Sequence, residues 1–243
     1  MVEVVVLPES STRFAARKKE MALRRLHWNV GARRPRPYEL LRRQKERTLQ
    51  HSQCGIRRRV SFMNYEQLFK PLQILAISGS LRAASSNTAL LQAAQRLAPE
   101  GVTISMFDGI GDLPHFNPDL DNEDAPSSVQ DFRARLRQAD GVLICSPEYA
   151  HGVPGTLKNA LDWIVGSGEL MEKPVALLKA SSHGGHAQAS LQETLSVMMA
   201  QVAEEASLVV ALGSNKVVAA DLANDEVASR TLRSALEAFV LAD

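Results

Sequence analysis

The sequence holds only two cysteines, Cys54 and Cys145, among 243 residues. Two thiols exclude a disulfide scaffold and a four-cysteine zinc site, and they fit a reducing compartment. Long apolar runs are missing as well: none approaches the roughly 18 residues that span a bilayer. The patch from Val4 to Leu7 is too short for a signal-peptide core and no positive segment precedes it. The expected location is therefore cytoplasmic, with no membrane partner. Net charge is nearly absent, at +1, but that average describes neither part of the chain. Residues 1–62 carry 16 Lys+Arg against 5 Asp+Glu, whereas residues 63–243 carry 12 against 22. With 45% apolar and 23% charged residues, the collagen-like, disulfide-rich and wholly disordered classes are excluded. The length suits one large domain, or a medium domain with an extension.

In the first 62 residues, Arg and Lys cluster at Arg17-Lys18-Lys19, Arg24-Arg25, Arg33-Arg34, Arg42-Arg43 and Arg57-Arg58-Arg59. Apolar residues there keep no sustained period. A basic helix over Tyr38 to Leu49 would have little to bury and would not offset its ordering entropy. Three readings stand: a basic arm for nucleic acid or an acidic surface, an Arg-rich transit peptide against which five Glu count, or upstream sequence from an early start codon. Met63-Asn64-Tyr65-Glu66-Gln67 makes a natural start just before the first strand. The expected division is a basic, disordered extension over 1–62 and a folded domain over 63–243.

Beyond Pro71 the pattern becomes regular. Apolar runs at Leu72 to Ile77, Val102 to Phe107, Val142 to Cys145, Val175 to Leu178 and Leu208 to Leu212 predict five strands. Between and after them, helical stripes run over Asn87 to Ala98, from a cap at Ser127 or Ser128 through Leu136, over Gly155 to Val165, over His186 to Val202, and from Leu232 to Val240. Continuous apolar strands alternating with helices predict an α/β, three-layer sandwich around a five-stranded parallel sheet. Ligands in such folds sit beyond the carboxyl ends of the strands, at the switch point.

Three loops lie at those ends. After the first strand comes Ser78-Gly79-Ser80-Leu81-Arg82-Ala83-Ala84-Ser85-Ser86-Asn87. It combines a tight turn, hydroxyl and amide donors, a forked cation and a helix start, which suits a monoester phosphate or, more plainly, a polar turn with a Ser/Asn cap. It is neither a Walker loop nor GxGxxG. After the third strand comes Ser146-Pro147-Glu148-Tyr149-Ala150-His151-Gly152-Val153-Pro154-Gly155, a stiff loop beside which a flat ring could rest. Taken alone, His151 reads as a surface loop histidine and Trp163 as core packing. Asp162 and Lys158 read as a surface pair worth little. After the fourth strand comes Ala180-Ser181-Ser182-His183-Gly184-Gly185-His186. His183 and His186 lack a convincing third ligand, so no metal is expected.

Taken together, Ser78-Gly79-Ser80-Leu81-Arg82, Ser85 and Asn87, then Ser146-Pro147-Glu148-Tyr149, Pro154-Gly155 and Leu157-Lys158-Asn159-Ala160-Leu161-Asp162-Trp163, resemble the NADPH-dependent FMN reductases. This flavodoxin-like family includes chromate, quinone and azo reductases, and the resemblance spans roughly residues 71–212. It implies that Ser80, Arg82, Ser85 and Asn87 bind the FMN phosphate. It implies that Pro147, Glu148 and Tyr149, with His151 and Gly152 in the same loop, line the isoalloxazine ring, and that Ser182 and Gly184 approach the ring from the third loop. The chain departs from the family pattern at Ala150, where Asn is usual, and at Gly152, where Ser is common.

The resemblance further implies an enzyme that moves two electrons by hydride transfer from NADPH or NADH, through FMN, to a quinone, flavin, chromate or azo acceptor. No catalytic side chain is required, because the flavin carries the chemistry. A homodimer or homotetramer is the expected assembly. Two other classes stay open at this stage. One is a non-enzymatic flavodoxin-type electron carrier, favoured by the acidic domain. The other is a nucleic-acid-binding protein acting through the basic arm, although no base-reading motif accompanies it and nucleic acid is not the expected partner.

Overall fold

The computed structural model describes residues 71–181, 185–210 and 218–241. The basic segment 1–62, the boundary at Met63, and Ser182, His183 and Gly184 lie outside the described residues. Among the described residues no helix is long and apolar enough to cross a membrane.

Strands β1 (Leu72–Ser78), β2 (Val102–Phe107), β3 (Gly141–Cys145) and β4 (Pro174–Lys179) form the body of the sheet. Two short strands, β5 (Gln201–Val202) and β6 (Leu208–Val209), share the position beyond β4. The order is β2-β1-β3-β4-β5, and every pairing is parallel. The register sets Ile74 beside Ile104 and Gly141, and Val142 beside Val175. All five residues of β3 are buried, which is why its sequence, GVLIC, is apolar without alternation. This is the parallel α/β sandwich that the alternation predicts, with the flavodoxin-like fold that the resemblance implies.

Successive strand residues point to opposite faces, and each face is covered by helices. On one side α1 (Ser86–Arg96), α5 (Ala219–Asn224) and α6 (Glu226–Leu241) bury Leu90, Leu91, Leu222, Leu232 and Phe239 with Ile74, Ala76, Leu143 and Leu178. On the other, α2 (Ser127–Gln138), α3 (Gly155–Val165) and α4 (His186–Val197) bury Phe132, Leu136, Trp163, Ile164 and Leu195 with Leu75, Ile77, Val142 and Ile144. Each fully buried Leu, Ile or Phe contributes about 1.5–3 kcal/mol.

The structure corrects three local expectations. Helix α4 stops at Val197 rather than reaching Val202. Met199 adopts φ 60°, its N–H meets the Ser196 carbonyl at 2.9 Å, and Ala200 N–H reaches back to the Leu195 carbonyl at 3.0 Å. That is a Schellman closure, with Met where glycine is usual. The chain then turns into β5. The fifth strand is in two pieces around a 3-10 turn, Glu204–Ala206, and its second piece ends at Val209, with 211 and 212 outside the described residues. Ser207 fills the gap, its Oγ accepting the Leu177 N–H of β4 at 3.0 Å. Helix α2 has Pro126 as its N-cap, with no side-chain cap bond, so neither Ser127 nor Ser128 serves as the cap.

Helix α3 also holds the connection after β2. Asn159 Oδ1 accepts the Phe116 N–H at 2.7 Å, and Trp163 Nε1 donates to the Pro114 carbonyl at 2.7 Å. Trp163 is wholly buried, edge-on to Phe116 at 5.1 Å. The core reading of Trp163 is thus correct, and its indole finds the partner that a buried N–H requires. Lys158 and Asp162 pair on the surface at 2.6 Å.

Gly141 tests the packing. A Cβ there would lie 2.9 Å from the Phe239 ring of α6. Gly141→Ala should therefore destabilise the chain by about 1–3 kcal/mol through overpacking. Chemical denaturation should show a lower midpoint at unchanged slope.

Candidate functional site

The carboxyl ends of β1, β3 and β4 open on one edge of the sheet. Gly79 N–H donates to the Cys145 carbonyl at 2.9 Å, the last bond between β1 and β3 before the chains part. A Cβ on Gly79 would lie 2.5 Å from Ser146 Oγ and 3.2 Å from Leu157, so the first and second loops touch here. Only glycine permits that approach without displacement. A cleft lies beside this junction, with Asn87, Pro147, Glu148, Ser181, Ala187 and Gln188 in its wall.

The first loop is held from within. Ser78 Oγ and Thr88 Oγ1 are 2.8 Å apart, and Ser80 Oγ accepts the Arg82 N–H at 3.3 Å. Ser85 is the N-cap of α1, its Oγ accepting the Thr88 N–H at 3.4 Å. An accepting hydroxyl keeps its own proton to donate. The first turn of α1 holds no acidic residue. Arg82 is exposed and its guanidinium makes no hydrogen bond or ion pair to another described residue. Hydroxyl donors, a helix start and an unspent cation fit a phosphate.

Asn87 is placed differently. Its side chain is 8% exposed, and its Oδ1 accepts from the Cys145 thiol at 3.3 Å. Asn87 thus braces α1 against β3. Burial pushes the Cys145 thiol far up from its ordinary value, well past any thiolate role.

The second loop is a hairpin. Tyr149 N–H meets the Gly152 carbonyl at 3.1 Å and Gly152 N–H meets the Tyr149 carbonyl at 2.8 Å. Ala150 and His151 between them have φ 48° and φ 61°. Two successive positive φ values make a type I′ turn, which prefers Asn-Gly and strains Ala-His. The turn displays Tyr149 at 59% exposure, so its ring is not packed beneath the loop.

Glu148 reaches sideways. Its Oε2 accepts the Ala187 N–H at 3.0 Å, at the start of α4. That bond holds the carboxyl below its ordinary range; partial desolvation pushes back, while the Gly185 N–H and the imidazoles of His186 and His151 pull further down. A lowered carboxyl stabilises the native state above about pH 4.3, and the contribution is lost as pH falls through the lowered value. His151 stacks on His186 with centroids 4.2 Å apart and planes 19° from parallel. His186, the first residue of α4, thereby joins that helix to the second loop. Among the described residues no group of three or more His, Cys, Asp or Glu is placed to hold a metal.

The structure thus brings Ser80, Arg82, Ser85 and Asn87 to one side of the β1–β3 junction and Pro147, Glu148, Tyr149, His151 and Gly152 to the other. Thr88 and the Ala187 amide carry no motif signal; only the fold reveals them.

The family model for NADPH-dependent FMN reductases matches residues 72–215. An NAD(P)H-dependent FMN reductase of Pseudomonas aeruginosa is 34% identical over 175 residues, covering 70% of this chain and 94% of that protein. A quinone reductase of Escherichia coli is 34% identical over 155 residues, covering 60% and 81% respectively. Among solved structures, FerB of Paracoccus denitrificans, a flavoenzyme NAD(P)H:(acceptor) oxidoreductase, superposes with TM-score 0.56 at 31% identity, covering 70% of this chain and 95% of FerB.

The strained turn yields a stability test. Asn tolerates a left-handed backbone through local hydrogen bonding. Ala150→Asn should recover a fraction of the ~1–2 kcal/mol cost of that conformation, seen as a thermal midpoint raised by a few degrees.

Proposed function

Because the chain belongs to the NADPH-dependent FMN reductase family, and is an oxidoreductase of FMN and NAD(P)H, we propose that its acceptor is a quinone. Exposed apolar side chains on the first and second loops carry this reading. Leu81 on the first loop and Tyr149 on the second are each 59% exposed. Exposed apolar side chains on both loops suit a flat, apolar acceptor better than a small oxyanion such as chromate. The E. coli relative named as a quinone reductase supports the same choice.

The chemistry that FMN supplies when bound is two-electron transfer between NAD(P)H and the acceptor. The chain's own residues bind and orient. Ser80, Ser85 and Arg82 would take the phosphate, using hydroxyl donors and a cation at the start of α1. Pro147, Tyr149, His151 and Gly152 would flank the ring from the second loop, and Asn87 would support both by holding α1 to β3. Ser182 and Gly184 are assigned to the ring from the family resemblance alone. Buried and protonated, the Cys145 thiol stays clear of the reaction, and the Glu148 carboxylate is committed to a backbone amide. Family membership makes the chain an enzyme and sets aside the non-enzymatic carrier.

Two measurements test these assignments. Arg82→Ala should raise the FMN dissociation constant about tenfold, the low end for a charge-assisted bond at an exposed site. Riboflavin, which has no phosphate, should bind parent and variant alike, and equal FMN affinity would remove Arg82 from the phosphate site.

Tyr149→Ala should lower kcat/KM for a benzoquinone about three- to tenfold, the worth of an aromatic contact. At saturating FMN and NADPH, turnover with chromate should fall less; equal losses with both acceptors would reject the apolar-contact reading.

A further inference from the structure

Two contacts join the second loop to the start of α4. The Glu148 carboxylate accepts the Ala187 N–H, and three residues further on His151 stacks on His186. Helix α4 has Gly185 as its N-cap, no side-chain cap bond and no acid in its own first turn. Glu148, 39 residues away in sequence, supplies the capping acceptor that α4 lacks. Between the two contacts lies the left-handed pair Ala150 and His151, a conformation that persists only where its surroundings over-determine it.

We propose that Glu148 is a positioning residue for hydride transfer: it clasps the second loop to α4, with the His151–His186 stack as the other half of the clasp. The role rests on the FMN reductase reading above. The second loop carries Pro147 and Tyr149, and Ala187 and Gln188 in the first turn of α4 line the same cleft as Pro147 and Glu148. A clasp between them sets the width available to the ring and to the nicotinamide. Glu148 acts through the backbone of Ala187, not by touching the reacting atoms. The charged or titratable groups at the clasp are Glu148, His151 and His186. The helix start that the carboxylate occupies is thereby closed to a competing phosphate.

The test uses the full chain with Glu148→Ala, Glu148→Gln and His151→Ala, and two readouts. Without FMN, hydrogen exchange is followed over residues 186–197. With FMN, the single-turnover rate of flavin reduction by saturating NADPH is measured. Glu148→Ala should speed exchange in the first turn of α4 about tenfold through local opening and slow reduction about tenfold through misplacement. Glu148→Gln keeps an accepting oxygen and should restore most of both. His151→Ala should give a smaller change in the same direction. Unchanged exchange in Glu148→Ala would overturn the clasp, as would equal slowing of reduction in the Ala and Gln variants. Exchange that responds as expected in a chain that never reduces FMN would keep the clasp and reject the FMN reductase reading.

Discussion

The bond from Gly79 N–H to the Cys145 carbonyl, at 2.9 Å, is the point on which the site depends. It is the last rung between β1 and β3. Beyond it the chain after β1 crosses by α1 toward β2, while the chain after β3 crosses by α3 toward β4. Two crossovers that leave in opposite directions open a crevice between them. Glycine is required at this rung because any side chain would strike Ser146. The rest of the architecture keeps the rung in place: a sheet buried on both faces, and Asn87 joined to the Cys145 thiol.

Helices α1 and α4 both begin at this edge, and each presents a positive end and free amides. The chain serves them differently. Glu148 brings a full negative charge to α4, whereas α1 has only the neutral hydroxyl of Ser85 and no acid in its first turn. That difference would steer a phosphate away from α4 and toward α1. On the reading proposed above, the phosphate of FMN would lie toward Arg82 and its ring toward Tyr149.

Local strain is also stored in the second loop. Ala150 and His151 hold left-handed conformations without glycine, in the loop that displays Tyr149. A looser turn would cost less in the folded state but would let the exposed aromatic wander. The stack on His186 and the bond from Ala187 to Glu148 supply the restraint.

Much of this was legible in the residues. Ile74 to Ile77 and Val142 to Cys145 are apolar at every position, which only a sheet covered on both faces explains, and the polar loops that follow them lie at the strand ends. The course of the fifth strand was not legible, because Met199 closes α4 in a conformation that favours glycine, and sequence rules do not foresee a methionine there. Nor was the partner of Glu148 legible. A carboxylate beside Pro147 and Tyr149 reads as a ring neighbour; that it caps a helix 39 residues away is decided only when β3 and β4 lie side by side. Hydrophobic periodicity acts over a few residues and is written into the chain. Hydrogen bonds between loops depend on distances that exist only after the sheet has formed.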